Sequence, residues 1–139
     1  MSDWTIEPLT MADHEEVLAL WKATEGLCLS EDDEAAPFAR FLARNPGSSL
    51  VARSGGKLVG AITVSHDGRT GWLSRLAVVP ELRRQGLGRE LARRGVEALR
   101  SAGLRQVEIQ VLGSNEHARA FWREEGFEER PNVLLLAFR

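Results

Sequence analysis

The chain has no tyrosine, one cysteine and only two lysines among its 139 residues. A lone thiol, Cys28, closes no internal disulfide and belongs to no CxxC pair, which excludes a disulfide-framed scaffold and a cysteine-rich zinc site. His14, His66 and His117 show no HxxxH spacing, so no metal site is expected. The lysines, Lys22 and Lys57, stand in no Gly-Lys-Ser/Thr sequence, so no Walker A loop is present. Strongly apolar runs such as Leu134-Leu135-Leu136-Ala137-Phe138 fall far short of the ~20 residues of a membrane helix. Met1-Ser2-Asp3-Trp4 opens no basic, apolar leader, and the expected compartment is the cytoplasm, without a membrane partner. Five prolines and 13 glycines are too few for a collagenous or low-complexity chain. What remains, 43% hydrophobic and 27% charged residues, is the composition of a globular protein, and the length predicts one domain over 1–139.

The net charge of −2 hides an asymmetry. Residues 1–70 carry 6 basic and 11 acidic groups, whereas residues 71–139 carry 12 basic and 9 acidic groups. The second half is therefore where an anionic ligand is expected. A pI near 5.9 lacks the positive field of a nonspecific nucleic-acid binder, which points to a small-molecule phosphate and makes a nucleic-acid partner remote.

Alternation predicts a strand from Thr5 to Leu9, after which Thr10 and Asp13 form a loose capping box for a helix with Val17, Leu20, Trp21 and Thr24 on one face. Leu27 to Glu34 is acidic and unperiodic, a surface loop. A second helix carrying Phe38, Phe41 and Leu42 stops at Asn45-Pro46-Gly47. Ser49 to Arg53, Leu58 to Ser65 and Gly71 to Val79 are β-rich and separated by Gly-containing turns, predicting three consecutive antiparallel strands. Gly86-Leu87-Gly88 opens a long helix with Leu87, Leu91, Ala98, Leu99 and Ala102, ended by Gly103. A strand at Val107 to Leu112, a helix at Asn115 to Glu125 and a last strand at Val133 to Phe138 complete a mixed α/β sheet with helices on both faces.

Arg83-Arg84-Gln85-Gly86-Leu87-Gly88 lies between a strand and a helix, where successive backbone N–H groups and the positive end of the helix dipole converge on an anion. A dinucleotide-binding GxGxxG would require glycine where Leu91 stands. The run Leu76-Ala77-Val78-Val79-Pro80 followed by Arg-x-x-Gly-x-Gly instead resembles the signature of the GNAT superfamily of acyl-CoA-dependent acetyltransferases. A second pattern, Asn115, Ala118, Phe121, Trp122, Gly126 and Phe127, is similar to another segment of that family, in the same order. The resemblance spans nearly the whole chain and looks closest to the small bacterial YpeA-like group.

That resemblance implies a GNAT fold, a mostly antiparallel sheet whose strands Ser74 to Val79 and Val107 to Leu112 splay apart at the acyl-CoA site. It implies acetyl-CoA as cosubstrate, with the pyrophosphate on backbone amides from Arg84 through Gln85, Gly86, Leu87 and Gly88 to Arg89. The pantetheine would run along Leu76, Ala77 and Val78, Asn115 would hold its arm, and Trp122 would shape the thioester end. Arg83, Arg84, Arg89 and Arg93 would supply positive charge, although Arg93, Arg94 and Arg100 read more simply as a solvated helix face. A backbone N–H near Leu76 would hold the oxyanion.

Two positions depart from the family. Trp122 stands where many members carry a tyrosine acid, and indole N–H is no practical proton source. Gln110 stands where members that acetylate the N-terminus of a ribosomal protein carry a glutamate base. Glu108, two residues earlier on the same strand face, is the candidate base acting through water, against the reading of an exposed strand carboxylate. By alternation Trp72 and Ser74 share a face with Leu76 and would line the acceptor pocket. The run Glu31-Asp32-Asp33-Glu34 would lie beside the acceptor entrance and favour a cationic amine. The function implied is direct acetyl transfer to an amine of a small molecule or peptide by a monomer or homodimer. The alternative is an acyl-CoA-binding module without catalysis.

Overall fold

The structure, a computed structural model, describes residues 3–138. Five strands, β1 (Thr5–Pro8), β2 (Leu50–Ser54), β3 (Lys57–His66), β4 (Thr70–Val78) and β5 (Gln106–Ile109), form a sheet in the order β1-β2-β3-β4-β5. The first four are antiparallel and β5 runs parallel to β4. Four helices cover it: α1 (His14–Lys22), α2 (Ala35–Arg44), α3 (Leu87–Ser101) and α4 (Glu116–Glu124). This is the mixed, mostly antiparallel α/β architecture that the sequence pattern and the family resemblance predict.

The β2–β3 hairpin turns on Gly55 and Gly56, both with positive φ (58° and 81°), the backbone a two-residue turn needs to match strand twist. Strand β3 is apolar along almost its whole length because both its faces are covered. On one side Val17, Trp21 and Phe38 of α1 and α2 pack with Val51, Leu58, Ala61 and Ala77. On the other, Leu87, Leu91, Ala92 and Leu99 of α3 pack with Ala52, Val59, Ile62, Val64 and Leu73. Helix α3 approaches closely: a Cβ at Gly95 would come within 2.8 Å of Leu73 Cδ2, and one at Gly71 within 2.7 Å of Leu99 Cδ1.

The capping box at Thr10 forms, with Asp13 accepting from the Thr10 N–H at 2.9 Å. Arg53 of β2 donates to the same Asp13 (2.6 Å) and to Glu16 (3.0 Å), fastening the start of α1 to the sheet. These bonds, Glu16 first, push the guanidinium pKa above its ordinary value. Among the described residues no helix is long and apolar enough to cross a membrane.

Three expectations need correction. The strand expected over Val107 to Leu112 pairs only as far as Ile109. Leu27 to Glu34 is not merely a surface loop, because Glu31–Asp33 forms a 3-10 turn with Asp33 buried. Val133 to Phe138 has strand composition but joins no ladder. The preceding chain is tied to the outside of α4 by Glu129, which takes hydrogen bonds from Arg119 (2.8 Å) and Arg123 (2.6 Å). A turn then closes from the Val133 N–H to the Arg130 carbonyl.

Candidate active site

In the β3–β4 ladder Ala61 pairs with Ala77 and Thr63 with Ser74, so the single residue Ile62 faces two residues, Arg75 and Leu76. This is a bulge, and Arg75 sits in it at φ +54°. A left-handed conformation costs a residue with a side chain about 1–2 kcal/mol. Three hydrogen bonds offset that cost. Trp21 Nε1 donates to the Arg75 carbonyl (2.9 Å), and Arg75 Nε and Nη2 donate to the two oxygens of Asp33 at 3.0 and 3.1 Å. Asp33 also accepts from the Ser30 N–H at 2.9 Å.

The extra residue reverses the faces of the strand beyond it. Leu73 packs in the α3 layer, and past the bulge Leu76 and Val78 do so too, whereas Ala77 joins the α1–α2 layer. Strict alternation had placed Trp72 and Ser74 on the side of Leu76; the bulge puts them on the opposite side. Ser74 there accepts a bond from Thr63, its carbonyl 2.9 Å from the Thr63 hydroxyl.

Strands β4 and β5 pair at Thr70–Gln106, Gly71–Val107, Trp72–Glu108 and Leu73–Ile109, and then stop, although β4 continues to Val78. From Ser74 to Val78 the backbone of β4 therefore has no strand neighbour on its β5 side. An extended chain carrying amides can pair there as an added strand would.

The chain leaves β4 through a 3-10 turn, Pro80–Leu82, and reaches α3 through Arg83 to Gly86, with Arg84 (φ 63°) and Gly86 (φ 91°) both left-handed. The first bond of α3 runs from the Glu90 N–H to the Gly86 carbonyl, so the N–H groups of Leu87, Gly88 and Arg89 have no helical acceptor. Gly86 is required by its backbone, and a Cβ there would meet nothing within 4 Å. Amides with no acceptor, open space above them and the helix dipole together make an anion cradle next to the freed edge of β4.

The side chains around the cradle are placed individually. Arg83 donates from Nε to the Val78 carbonyl (3.2 Å), Gln85 from its amide to the Glu81 carbonyl (3.1 Å), and Arg84 is exposed. Leu87 is fully buried, so only its backbone faces a ligand. Arg89 and Arg93 bond from Nε to the two oxygens of Glu125, at 3.2 and 3.0 Å, so they fasten α3 to the end of α4. Arg93 is thus paired through Nε, while most of its side chain stays exposed.

Asn115 caps α4, its Oδ1 accepting from the Ala118 N–H at 3.0 Å. Its Nδ2 lies against Gly26 (φ +86°), where any Cβ would collide with it, so the loop after α1 closes over the start of α4. Trp122 is 6% exposed and packs edge-on between Phe121 (4.9 Å) and Phe127 (5.2 Å). Phe121 borders the cradle, with its ring 3.7 Å from where a Gly88 Cβ would stand. The sequence signal for Phe121 was its place in the second family pattern, and Gly26 had none.

Glu108 lies one residue before the strands part, opposite Trp72, and accepts a hydrogen bond from the Gln106 amide. It shares the α1–α2 face with Trp72. Gln110 lies just past the last pair. In the acidic run only Glu31, Asp32 and Glu34 are exposed, because Asp33 is consumed by Arg75. His14 bonds the Asp33 carbonyl at 2.8 Å, His66 accepts from the Gly68 N–H, and His117 is exposed. A groove of about 490 Å³ between α3 and α4, lined by Ala92, Val96, Arg100 and Phe127, contains none of the cradle residues.

Residues 14–127 match the model of the acetyltransferase (GNAT) family. The chain is 31% identical over 127 residues to the acetyltransferase SG1711 of Sodalis glossinidius (strain morsitans), covering 91% of this chain and 89% of that protein. Its fold is similar to that of Ard1 from Thermoplasma volcanium, with a TM-score of 0.80, 23% identity, and coverage of 91% of this chain and 84% of the other. It is also similar to the PaiA N-acetyltransferase of Thermoplasma acidophilum solved in complex with coenzyme A, with a TM-score of 0.76, 20% identity, and coverage of 92% and 91%. The match over most of its length, together with the parted strands and the glycine cradle, shows that the chain belongs to the GNAT family of acetyltransferases, which use acetyl-CoA as cosubstrate.

Proposed function

We propose that residues 1–139 form one N-acetyltransferase domain that moves an acetyl group from acetyl-CoA directly to an amine. The observation that carries this reading is the parting of β4 from β5 beside the N-terminus of α3. There, amides from Arg84 to Arg89 would hold the pyrophosphate, with Arg83 and Arg84 adding charge, and the edge from Leu76 to Val78 would hold the pantetheine arm near Asn115. Trp122 supports this wall by packing. Acetyl-CoA supplies the activated acyl carbon.

The acceptor would enter from the α1–α2 side, where Trp72, Ser74 and Glu108 lie. An alkylamine of pKa about 10.4 is protonated near neutral pH and must lose that proton before it attacks. Glu108, through water, takes it. Proximity of the two substrates and the backbone of the bulge at Leu76 supply the remaining acceleration. The exposed Glu31, Asp32 and Glu34 favour a small-molecule or peptide acceptor with positive charge.

A screen of alkylamines, polyamines and peptides with acetyl-CoA, read by release of the CoA thiol, tests the proposal. Turnover with at least one amine is expected, and acetyl-CoA should raise the melting temperature. Gly86→Asp, which puts negative charge into open space, should abolish both effects while the protein stays folded. An unchanged thermal shift in Gly86→Asp would remove the cradle from the account. A thermal shift without thiol release for any amine would favour a binding module.

A further inference from the structure

Thr63 of β3 lies opposite Ser74 of β4 and is only 3% exposed. Its hydroxyl oxygen is 2.9 Å from the Ser74 carbonyl and 2.5 Å from the Ser74 hydroxyl. A carbonyl only accepts, so Thr63 spends its single proton there. The proton between the two hydroxyls is therefore the one on Ser74.

With that proton fixed, Ser74 faces any ligand as an acceptor. Its oxygen has lone pairs to spare and no further hydrogen-bond partner among the described residues, and the side chain is half-buried rather than closed off. Ser74 is the first residue of β4 past the last pair with β5 and the last before the left-handed Arg75. Two residues earlier on the same face, Trp72 is also half-buried and packs in neither apolar layer. The pair offers an indole surface for a carbon chain and an oxygen for an N–H.

Given acetyl transfer to an amine, on which this selectivity rests, we propose that Ser74, with its hydroxyl turned by Thr63, makes the acceptor site selective for primary over secondary amines. In the transfer the C–N bond forms, the C–S bond breaks and CoA leaves as its thiolate. One hydrogen of a primary amine goes by water to Glu108. The other stays in the amide product, and Ser74 accepts a hydrogen bond from it. A secondary amine has a single hydrogen to give up, so a carbon group would lie against the Ser74 oxygen and leave it unpaired. A site built to accept from an N–H discriminates strongly against a ligand that lacks it.

Thiol release with butylamine against N-methylbutylamine, and with a lysine peptide against its Nε-methyl form, measures this selectivity. The parent should prefer the primary member of a pair at least tenfold in kcat/KM. Ser74→Ala should lower that ratio about tenfold, chiefly through loss of activity on the primary amine. Thr63→Val should lower it in the same direction, and Thr63→Ser, which keeps the hydroxyl, should restore it. Circular dichroism and the thermal shift given by acetyl-CoA should match the parent throughout. Where Thr63→Val fails to fold, Ser74→Ala alone decides. A parent that does not favour the primary amine, or a Ser74→Ala variant with the parent's ratio, overturns the proposal and leaves acetyl transfer to amines standing. No thiol release from any primary amine in the parent overturns both.

Discussion

The two halves of β4 are built for opposite purposes. From Thr70 to Leu73 the strand has a neighbour on each side and lies under α3 so closely that Gly71 and Gly95 leave no room for a Cβ. From Ser74 to Val78 it loses β5, takes in an extra residue at Arg75 and reverses its faces. The first half is held by packing. The second is held by a few directional bonds from Trp21 and Asp33, which leave its other edge free. A continuous ladder would offer no place for a ligand to pair, and an unsupported bulge would not keep one shape.

Four substitutions separate these roles. Gly95→Leu attacks the packed half and should cost about 3 kcal/mol of stability in urea unfolding, the upper range for overpacking. A cost below about 1 kcal/mol would mean that the close approach of α3 does not hold this half. Glu108→Gln leaves both halves intact and should lower kcat about a hundredfold, the lower end of general-base catalysis. It should also remove the limb of the pH–rate profile that rises as the base loses its proton. An unaltered profile would discard Glu108 as the base.

Asp33→Asn attacks the free half. Losing the charge opposite Arg75, whose guanidinium is partly solvated, should cost about 2 kcal/mol, below the range for a fully buried pair. Acetyl transfer should fall roughly tenfold, equivalent to ~1.4 kcal/mol in the barrier, while the thermal shift given by acetyl-CoA persists. Equal rates in the variant and parent would mean that the bulge keeps its shape without Asp33. Trp122→Phe should have the smallest effect, about 1 kcal/mol of stability with most activity retained. A drop of several thousandfold with an intact fold would contradict a packing role.

The glycine cradle and the order of elements were legible because they rest on local spacing: Gly86 and Gly88 opening a helix, Gly55-Gly56 closing a hairpin, apolar residues at helical intervals. The bulge was not, because it is defined by register against β3, and so Leu76 was assigned to the face of Trp72 and Ser74. Asp33 looked like one of four solvated acids. Its partner Arg75 is 42 residues away, and Trp21 meets the same residue across 54. The contact of Gly26 with Asn115 and the tie of Arg89 and Arg93 to Glu125 are likewise long-range. Val133 to Phe138 was read as a last strand from its composition and joins no ladder, because apolar composition alone supplies no pairing edge.

Amide hydrogen exchange of the parent chain with and without acetyl-CoA tests the division of β4 directly. The account predicts added protection at Leu76 to Val78 and Arg84 to Arg89, with no change at Thr70 to Leu73, which are already paired on both sides. Unchanged exchange at Leu76 to Val78 and at the cradle, with protection appearing instead along the groove between α3 and α4, would contradict it.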